Sequence, residues 1–76
     1  MKKSITIKDE FIKLGQAMKL AGLSETGVDA KFSIEDGKVK VNGETELRRG
    51  KKLYNGDVFS FNGQEVTVVS KLEKDI

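Results

Sequence analysis

The chain contains neither cysteine nor histidine among its 76 residues. Their absence excludes disulfides, the usual zinc sites, thiol nucleophiles and the commonest proton shuttle of enzymes. No apolar run approaches the ~18 residues of a membrane span, and the N-terminal stretch MKKSITIKDE lacks the apolar segment of a signal peptide. We therefore expect a cytoplasmic protein with no cofactor, no metal and no membrane partner.

Catalytic motifs are equally scarce. A chain of this length forms one small domain, which we place over residues 1–76 with a core from about 5 to 70, and it buries only about 60% of its unfolded surface. The stretch GKK at 50–52 lacks both the upstream glycine and the hydroxyl residue of a phosphate-binding loop. The last residues are EKDI rather than the Gly-Gly of a ubiquitin-like sulfur carrier. We therefore predict that the protein is not an enzyme.

Positive charge is present and unevenly distributed. The chain has 14 basic and 12 acidic residues, a net charge of +2. Residues 37–52 hold six basic and two acidic residues, a local net charge of +4, so the remainder sums to −2. A small protein with one basic face is a candidate nucleic-acid binder. The alternative is a charge-mixed surface that is merely solvated.

Two helices are predicted in the first half of the chain. The i, i+3, i+4, i+7 stripe of the first consists of Leu14, Ala17, Met18 and Ala21. This helix should begin near residue 13 or 14 and end at Gly22. Thr26, with Asp29 three residues later, is typical of the cap of a second helix that ends at Gly37. Phe32 lies off the buried stripe of that helix, and two positions stay open for it: covering the edge of the core, which we favour, or standing on the surface as a stacking platform.

Strands and turns account for the remaining sequence. SITI, KVKV, VFSF and QEVTVV are strand-like, and the Asn-Gly pairs at 42–43 and 62–63 predict tight turns. The order β-α-α-β-loop-β-β predicts an α+β domain in which two helices pack on a small antiparallel sheet. The residues expected to share its core are Leu14, Met18, Ala30, Ile34, Val39, Val41, Val58, Val66 and Val68.

The basic residues of the second half form a candidate phosphate-binding set. In a strand, Lys38 and Lys40 point to one face about 7 Å apart at ~3.3 Å per residue, near the spacing of successive phosphates. The following loop turns on Gly50, whose bare backbone allows close approach of a phosphate. Its cations are Arg48, Arg49, Lys51 and Lys52. Because no aromatic residue interleaves with them, we expect contacts to the nucleic-acid backbone rather than to bases.

Residues 13–69 resemble the small RNA-binding domain named after ribosomal protein S4, and are most similar to its stand-alone YaaA/YbcJ-like branch. The resemblance is carried by the helix end at Gly22-Leu23, by Ala30, by the run GKVKVNG from 37, by RRGKK from 48, and by Gly56-Asp57. It implies two helices packed on a small sheet, the αL arrangement, with an RNA-binding groove along the helices and the following strand.

The resemblance also implies positions for the RNA-binding residues. Lys13 matches the basic position that opens the first helix, and Lys31 matches one on the second helix. With the strand and loop, the predicted RNA-binding set is Lys13, Lys31, Lys38, Lys40, Arg48, Arg49, Lys51 and Lys52. The contribution of Lys19 stays open from the sequence. The chain departs from many relatives at Gly15 and at Gly27, where an Asp and an Arg are usual; the missing arginine removes one expected phosphate contact and favours the loop as the main site.

Two functions remain open from the sequence. The first is a monomeric RNA-binding module whose partner is a structured RNA, such as a ribosomal or transfer RNA stem. The second is a protein-interaction module whose basic loop binds an acidic partner protein. Both are electrostatic, so competition between structured RNA and an acidic peptide would separate them, whereas salt sensitivity would not.

Overall fold

The structure is a computed structural model that describes residues 2–72; Met1 and residues 73–76 lie outside the described part. The two helices are α1 (Leu14–Leu20) and α2 (Gly27–Glu35). The strands are β1 (Lys2–Ile7), β2 (Phe11–Lys13), β3 (Lys40–Val41), β4 (Glu44–Thr45), β5 (Lys52–Tyr54), β6 (Val58–Phe61) and β7 (Gln64–Ser70). Within residues 2–72, no helix is long and apolar enough to cross a membrane.

The α+β class and the packing of two helices on a small sheet are as predicted, but the sheet is mixed rather than antiparallel. Its strand order is β1-β7-β6-β3-β4, and β1 runs parallel to β7 while the other neighbours are antiparallel. β1 and β7 come from opposite ends of the chain, and a parallel pair needs a long crossover, which here includes both helices. No local pattern in the sequence reports such a pairing.

A separate two-stranded ribbon joins β2 to β5 in antiparallel register. Its central residues, Ile12 and Leu53, face the core, where Leu53 is fully buried and Ile12 packs against the buried cluster. The sequence did not predict this ribbon, because each strand is only three residues long and β5 lies within a segment that was expected to be irregular.

The helix ends follow the predicted signals. The N–H of Asp29 donates to Oγ1 of Thr26 at 3.1 Å, so Thr26 caps α2. α1 ends beside Gly22, whose φ of +77° is the left-handed conformation that favours glycine. The ammonium of Lys3 donates to the carbonyl of Ala21 at 3.0 Å, which places a positive charge at the negative end of α1.

One core joins the helices to the inner face of the sheet. Its members are Ile5, Ile7, Leu14, Ala17, Met18, Ala21, Ala30, Ile34, Val39, Val41, Leu53, Phe59, Val66 and Val68. One prediction is wrong: Val58 is only half-buried because the register of β6 turns Phe59 inward. Phe32, for which the sequence left two positions open, lies on the surface: it is 59% exposed, one turn from the equally exposed Val28 on the outer side of α2.

The turn residues are structural, as the sequence indicated. Asn42 and Asn62 adopt φ of +51° and +53°, each before a glycine that also has positive φ. Asn42 accepts from the N–H of Val58 at 3.0 Å and donates to Asp57 at 3.2 Å, and Asp57 accepts from the N–H of Tyr54 at 2.7 Å. This network ties the β3–β4 turn to the β5–β6 turn and fixes the backbone at Tyr54.

Candidate nucleic-acid interface

The basic loop is held against the start of α1 by its own backbone. The carbonyl of Lys51 accepts from the N–H of Leu14 at 2.9 Å, and the carbonyl of Arg49 accepts from the N–H of Gly15 at 3.0 Å. A further bond from the N–H of Lys51 to the carbonyl of Arg48, 3.2 Å, closes the turn. The loop therefore satisfies two N–H groups of the first helical turn, which would otherwise lack partners, and its position is fixed by the helix.

A groove of about 440 Å³ opens between this loop and the starts of both helices. We call it the basic groove, and its lining residues are Lys13, Gly15, Gln16, Lys19, Gly27, Arg49 and Gly50. Three of them carry positive charge and none carries negative charge. Lys19, whose contribution the sequence left open, belongs to this groove; its spacing of three from Gln16 on α1 is the signal that places both on one helical face.

The exposed backbone of Gly50 lies between the basic groove and a second basic depression. Gly50 lines the basic groove and also a neighbouring depression formed with Arg48, Lys51, Lys52 and Tyr54. A Cβ at Gly50 would meet no atom within 4 Å, and its φ is not in the left-handed region, so neither packing nor conformation requires glycine there. The absence of a side chain leaves the peptide backbone accessible to a ligand from both sides.

The outer face of the β2–β5 ribbon combines aromatic and basic side chains. Phe11 pairs with Tyr54 and Lys13 with Lys52 in the strand register. The two ring centroids lie 5.9 Å apart, and Nζ of Lys52 lies 4.8 Å from the centroid of Phe11. The cations therefore have aromatic neighbours in space, although none interleaves with them in the sequence. Phe11 and Tyr54 are far apart in sequence, and only the undetected ribbon brings them together.

The two arginines of the loop are not equivalent. Nε of Arg48 donates to Oε2 of Glu46 at 3.1 Å, and Nη2 donates to Oε1 at 3.3 Å. These hydrogen bonds lower the pKa of the Glu46 carboxyl below its usual value, and the same contact raises the pKa of Arg48. Within residues 2–72 the guanidinium of Arg49 has no side-chain partner. Arg49 is therefore the arginine whose charge and donors are available to a ligand.

Comparison with known proteins places the chain in a family. The sequence pattern of the S4 domain matches residues 5–69. The chain belongs to the S4 domain family. RlbA of Bacillus subtilis (strain 168), named a probable ribosome maturation protein, is 44% identical over 63 residues, which cover 83% of this chain and 89% of RlbA. YbcJ of Escherichia coli (strain K12) is 41% identical over 63 residues, covering 83% of this chain and 90% of YbcJ.

The solution structure of E. coli YbcJ has the same fold. It superimposes with a TM-score of 0.66 at 39% identity, covering 91% of this chain and 86% of YbcJ, and is described as revealing an αL motif involved in RNA binding. The resemblance stated from the sequence is thereby confirmed at the level of family and fold.

Two predicted residues, Lys38 and Lys40, lie on another part of the S4 domain. They line a depression on the sheet with Lys2, and this depression shares no lining residue with the basic groove. Lys38 precedes β3 rather than lying in it, and its Nζ is 3.8 Å from Asp36. In the strand register, Ser60 and Glu65 separate Lys40 from Lys2, so an acidic group interrupts this row.

Lys31 takes an intermediate place. It is half-buried on α2, one helical turn beyond Gly27, and it does not line the basic groove. The eight predicted residues thus divide into a connected surface of Lys13, Arg48, Arg49, Lys51 and Lys52, a neighbouring helix position, and the separate pair on the sheet. Gln16, Lys19, Phe11 and Tyr54 are the residues of the connected surface that the sequence did not single out.

Proposed function

We propose that this S4 domain is a non-catalytic module that docks a structured RNA stem, of ribosomal or transfer RNA type, through its phosphates. The observation that carries the proposal is the convergence of cations from β2, α1 and the loop around exposed glycine backbone. The converging cations are Lys13, Lys19, Arg49, Lys51 and Lys52, while Arg48 lies beside them paired with Glu46. The names given to RlbA and to the YbcJ structure support RNA as the ligand, and a ribosomal partner would place the protein in the cytoplasm.

Each component of the surface suits a phosphate backbone. Arg49 offers a planar pair of donors to one phosphate, while the lysines act as mobile point charges. The bare backbone at Gly50 lets a phosphate approach closely. Base edges in the deep, narrow major groove of an A-form stem are out of reach of side chains, so recognition there depends on shape and charge. Since one chain forms the whole groove, we propose that the protein acts as a monomer.

The remaining predicted residues extend this surface in the proposal. Lys31 lies one turn further along α2 and would contact a stem that continues past Gly27. Lys38 and Lys40, together with Lys2, would meet only an RNA long enough to reach the outer face of the sheet. We therefore expect Lys31, Lys38 and Lys40 to contribute less to RNA affinity than the residues around the basic groove.

RNA affinity should fall steeply with salt. If about four to six phosphates are neutralised, the slope of log K against log [salt] should be roughly −3 to −5, taking about 0.7–0.9 per phosphate. Fluorescence anisotropy with a labelled RNA stem measures this slope, and unlabelled stem, single-stranded DNA and an acidic peptide serve as competitors. Displacement of the labelled stem by unlabelled stem, and not by the other two competitors, supports RNA docking. Stronger displacement by the acidic peptide would support the protein-interaction alternative.

Gly27→Arg should strengthen RNA binding. Gly27 lines the basic groove at the first position of α2, and a Cβ there would meet no atom within 4 Å, so a long side chain fits without strain. One added phosphate contact should tighten binding up to about tenfold and steepen the salt slope by about 0.7–0.9. Gly27→Gln, of similar length without the charge, is the control. Equal affinities for the two variants would place Gly27 outside the interface.

Arg49 and Arg48 should differ in their effect on RNA affinity. Arg49→Gln removes a free guanidinium and should weaken binding about tenfold, the value of one hydrogen bond to a charged group. Replacing Arg48 and Glu46 together by Gln removes a mutually neutralised pair at unchanged net charge, and affinity should stay within about threefold. Lys71→Gln, a single charge outside the groove, controls for net charge. A loss for the pair as large as for Arg49→Gln would mean that RNA displaces Glu46 from Arg48.

A further inference from the structure

Tyr54 presents an aromatic ring at the edge of the connected surface formed by Lys13 and the basic loop. It is 44% exposed, and it lines the depression formed by Arg48, Gly50, Lys51 and Lys52. One side of the ring is supported by Phe11, whose centroid lies 5.9 Å away at an interplanar angle of 49°. The backbone N–H of Tyr54 donates to the carboxylate of Asp57 at 2.7 Å, which fixes the backbone from which the tyrosine ring projects. The ring is therefore held in place while part of its surface remains open to a ligand.

An exposed aromatic face beside clustered cations is a stacking position for a nucleobase. Bases within a stem are already stacked and paired, so only an unpaired base can lie on a protein ring. Lys51 and Lys52 line the same depression as the ring and offer positive charge for the phosphate of that nucleotide. We propose that Tyr54 stacks an unpaired base next to the docked stem, so that the preferred ligand is a junction between a stem and a single strand. This inference rests on the proposed function and narrows its ligand.

Phe32 and Phe11 do not share this setting. Phe32 is 59% exposed but lines none of the basic depressions. Phe11 is half-buried, and Lys52 already lies 4.8 Å above its ring. The simpler role for Tyr54 is as the cross-strand partner of Phe11, which would stabilise the short ribbon. That role requires contact with Phe11 alone and gives no dependence on the form of the RNA, so the two can be separated by experiment.

The chain has one tyrosine and no tryptophan, so its intrinsic tyrosine fluorescence reports on Tyr54 alone. Three RNAs serve as probes: a blunt duplex, the same duplex with a short single-stranded extension, and that extension with abasic sites. We expect the extension to strengthen binding about 5- to 150-fold, the range for stacking one base, and to quench the fluorescence further than the blunt duplex does. The abasic extension should do neither.

Two substitutions assign the effect to the ring. Tyr54→Phe should keep the preference for the extended duplex, whereas Tyr54→Leu should lose it and bind the blunt and extended duplexes with equal affinity. Equal affinity of the parent protein for blunt and extended duplexes would overturn the stacking proposal and leave stem docking intact. Retention of the preference by Tyr54→Leu would overturn it as well. Failure to bind any of the three RNAs would instead contradict the proposed function itself.

Discussion

Replacing Lys13, Lys19 and Arg49 together by Ala should weaken binding of an RNA stem by roughly a hundredfold or more. These residues supply all the positive charge that lines the basic groove, and three lost charge-assisted contacts at about 1 kcal/mol or more each correspond to that factor. The salt slope should become shallower by about 2 to 3. Thermal unfolding should change little, because all three side chains are exposed and surface substitutions usually shift stability by less than about 0.5 kcal/mol each.

The matched control replaces Lys2, Lys38 and Lys40 by Ala. It removes the same number of positive charges from the depression on the sheet, so any difference between the two triple variants is due to position. We expect the control to lose less than about tenfold in affinity, in line with the screening of exposed charges that lie beyond the contact surface. Equal losses would show that net charge alone governs binding, and a greater loss in the control would move the interface to the sheet.

Phe59→Ala should destabilise the fold by about 3–5 kcal/mol. Phe59 is fully buried and is the largest of the fully buried side chains in the described structure. Its ring lies in the core shared by the helices and the sheet, so truncation leaves a cavity on both sides of that contact. For a domain of this size the loss is a large part of the total stability. Chemical denaturation monitored by circular dichroism measures it.

Phe32→Ala makes the identical chemical change at an exposed site. Phe32 is 59% exposed on the outer side of α2, and alanine is the better helix former, so the free energy of unfolding should change by less than about 0.5 kcal/mol. A loss of several kcal/mol at Phe32 would mean that this ring covers the core edge after all. A loss near zero at Phe59 would mean that the register of β6 is shifted by one residue, which would turn Val58 inward.

The elements defined by local chemistry were predictable from the sequence. Thr26 and Asp29 mark the start of α2, and Asn42 and Asn62 adopt the positive φ that an Asn-Gly turn requires. Valines alternate with lysines in residues 38–41, and this pattern correctly predicted that Val39 and Val41 face the core. Each of these signals spans only a few residues, so it can be recognised in the sequence without knowledge of contacts between distant segments.

Contacts between distant segments were not predictable. The parallel pairing of β1 with β7 joins the two ends of the chain, and the β2–β5 ribbon joins two strands of three residues. In β6, the sequence Val-Phe-Ser-Phe offers apolar residues on both faces, and only pairing with β3 decides that Phe59 points inward. Local periodicity carries no information on these pairings.

The candidate site shows the same division. The basic loop was evident from its composition, but its grouping with Lys19 and its separation from Lys40 depend on how the loop docks on α1. The pairing of Arg48 with Glu46 depends on side-chain geometry and distinguishes it from Arg49. Tyr54 was not recognised as part of the site from the sequence, because the β2–β5 ribbon that pairs it with Phe11 was not predicted.

The most direct test of the account is a map of where RNA contacts the protein. We would titrate the isotope-labelled chain with an RNA stem and follow its backbone amide resonances by NMR. A stem docked in the basic groove should give the largest shifts at the start of α1, at the start of α2 and in residues 48–52, with small shifts on β3, β6 and β7. The largest shifts at Lys40, Ser60 and Glu65, with little change at Gly15 and Gly50, would contradict docking in the groove.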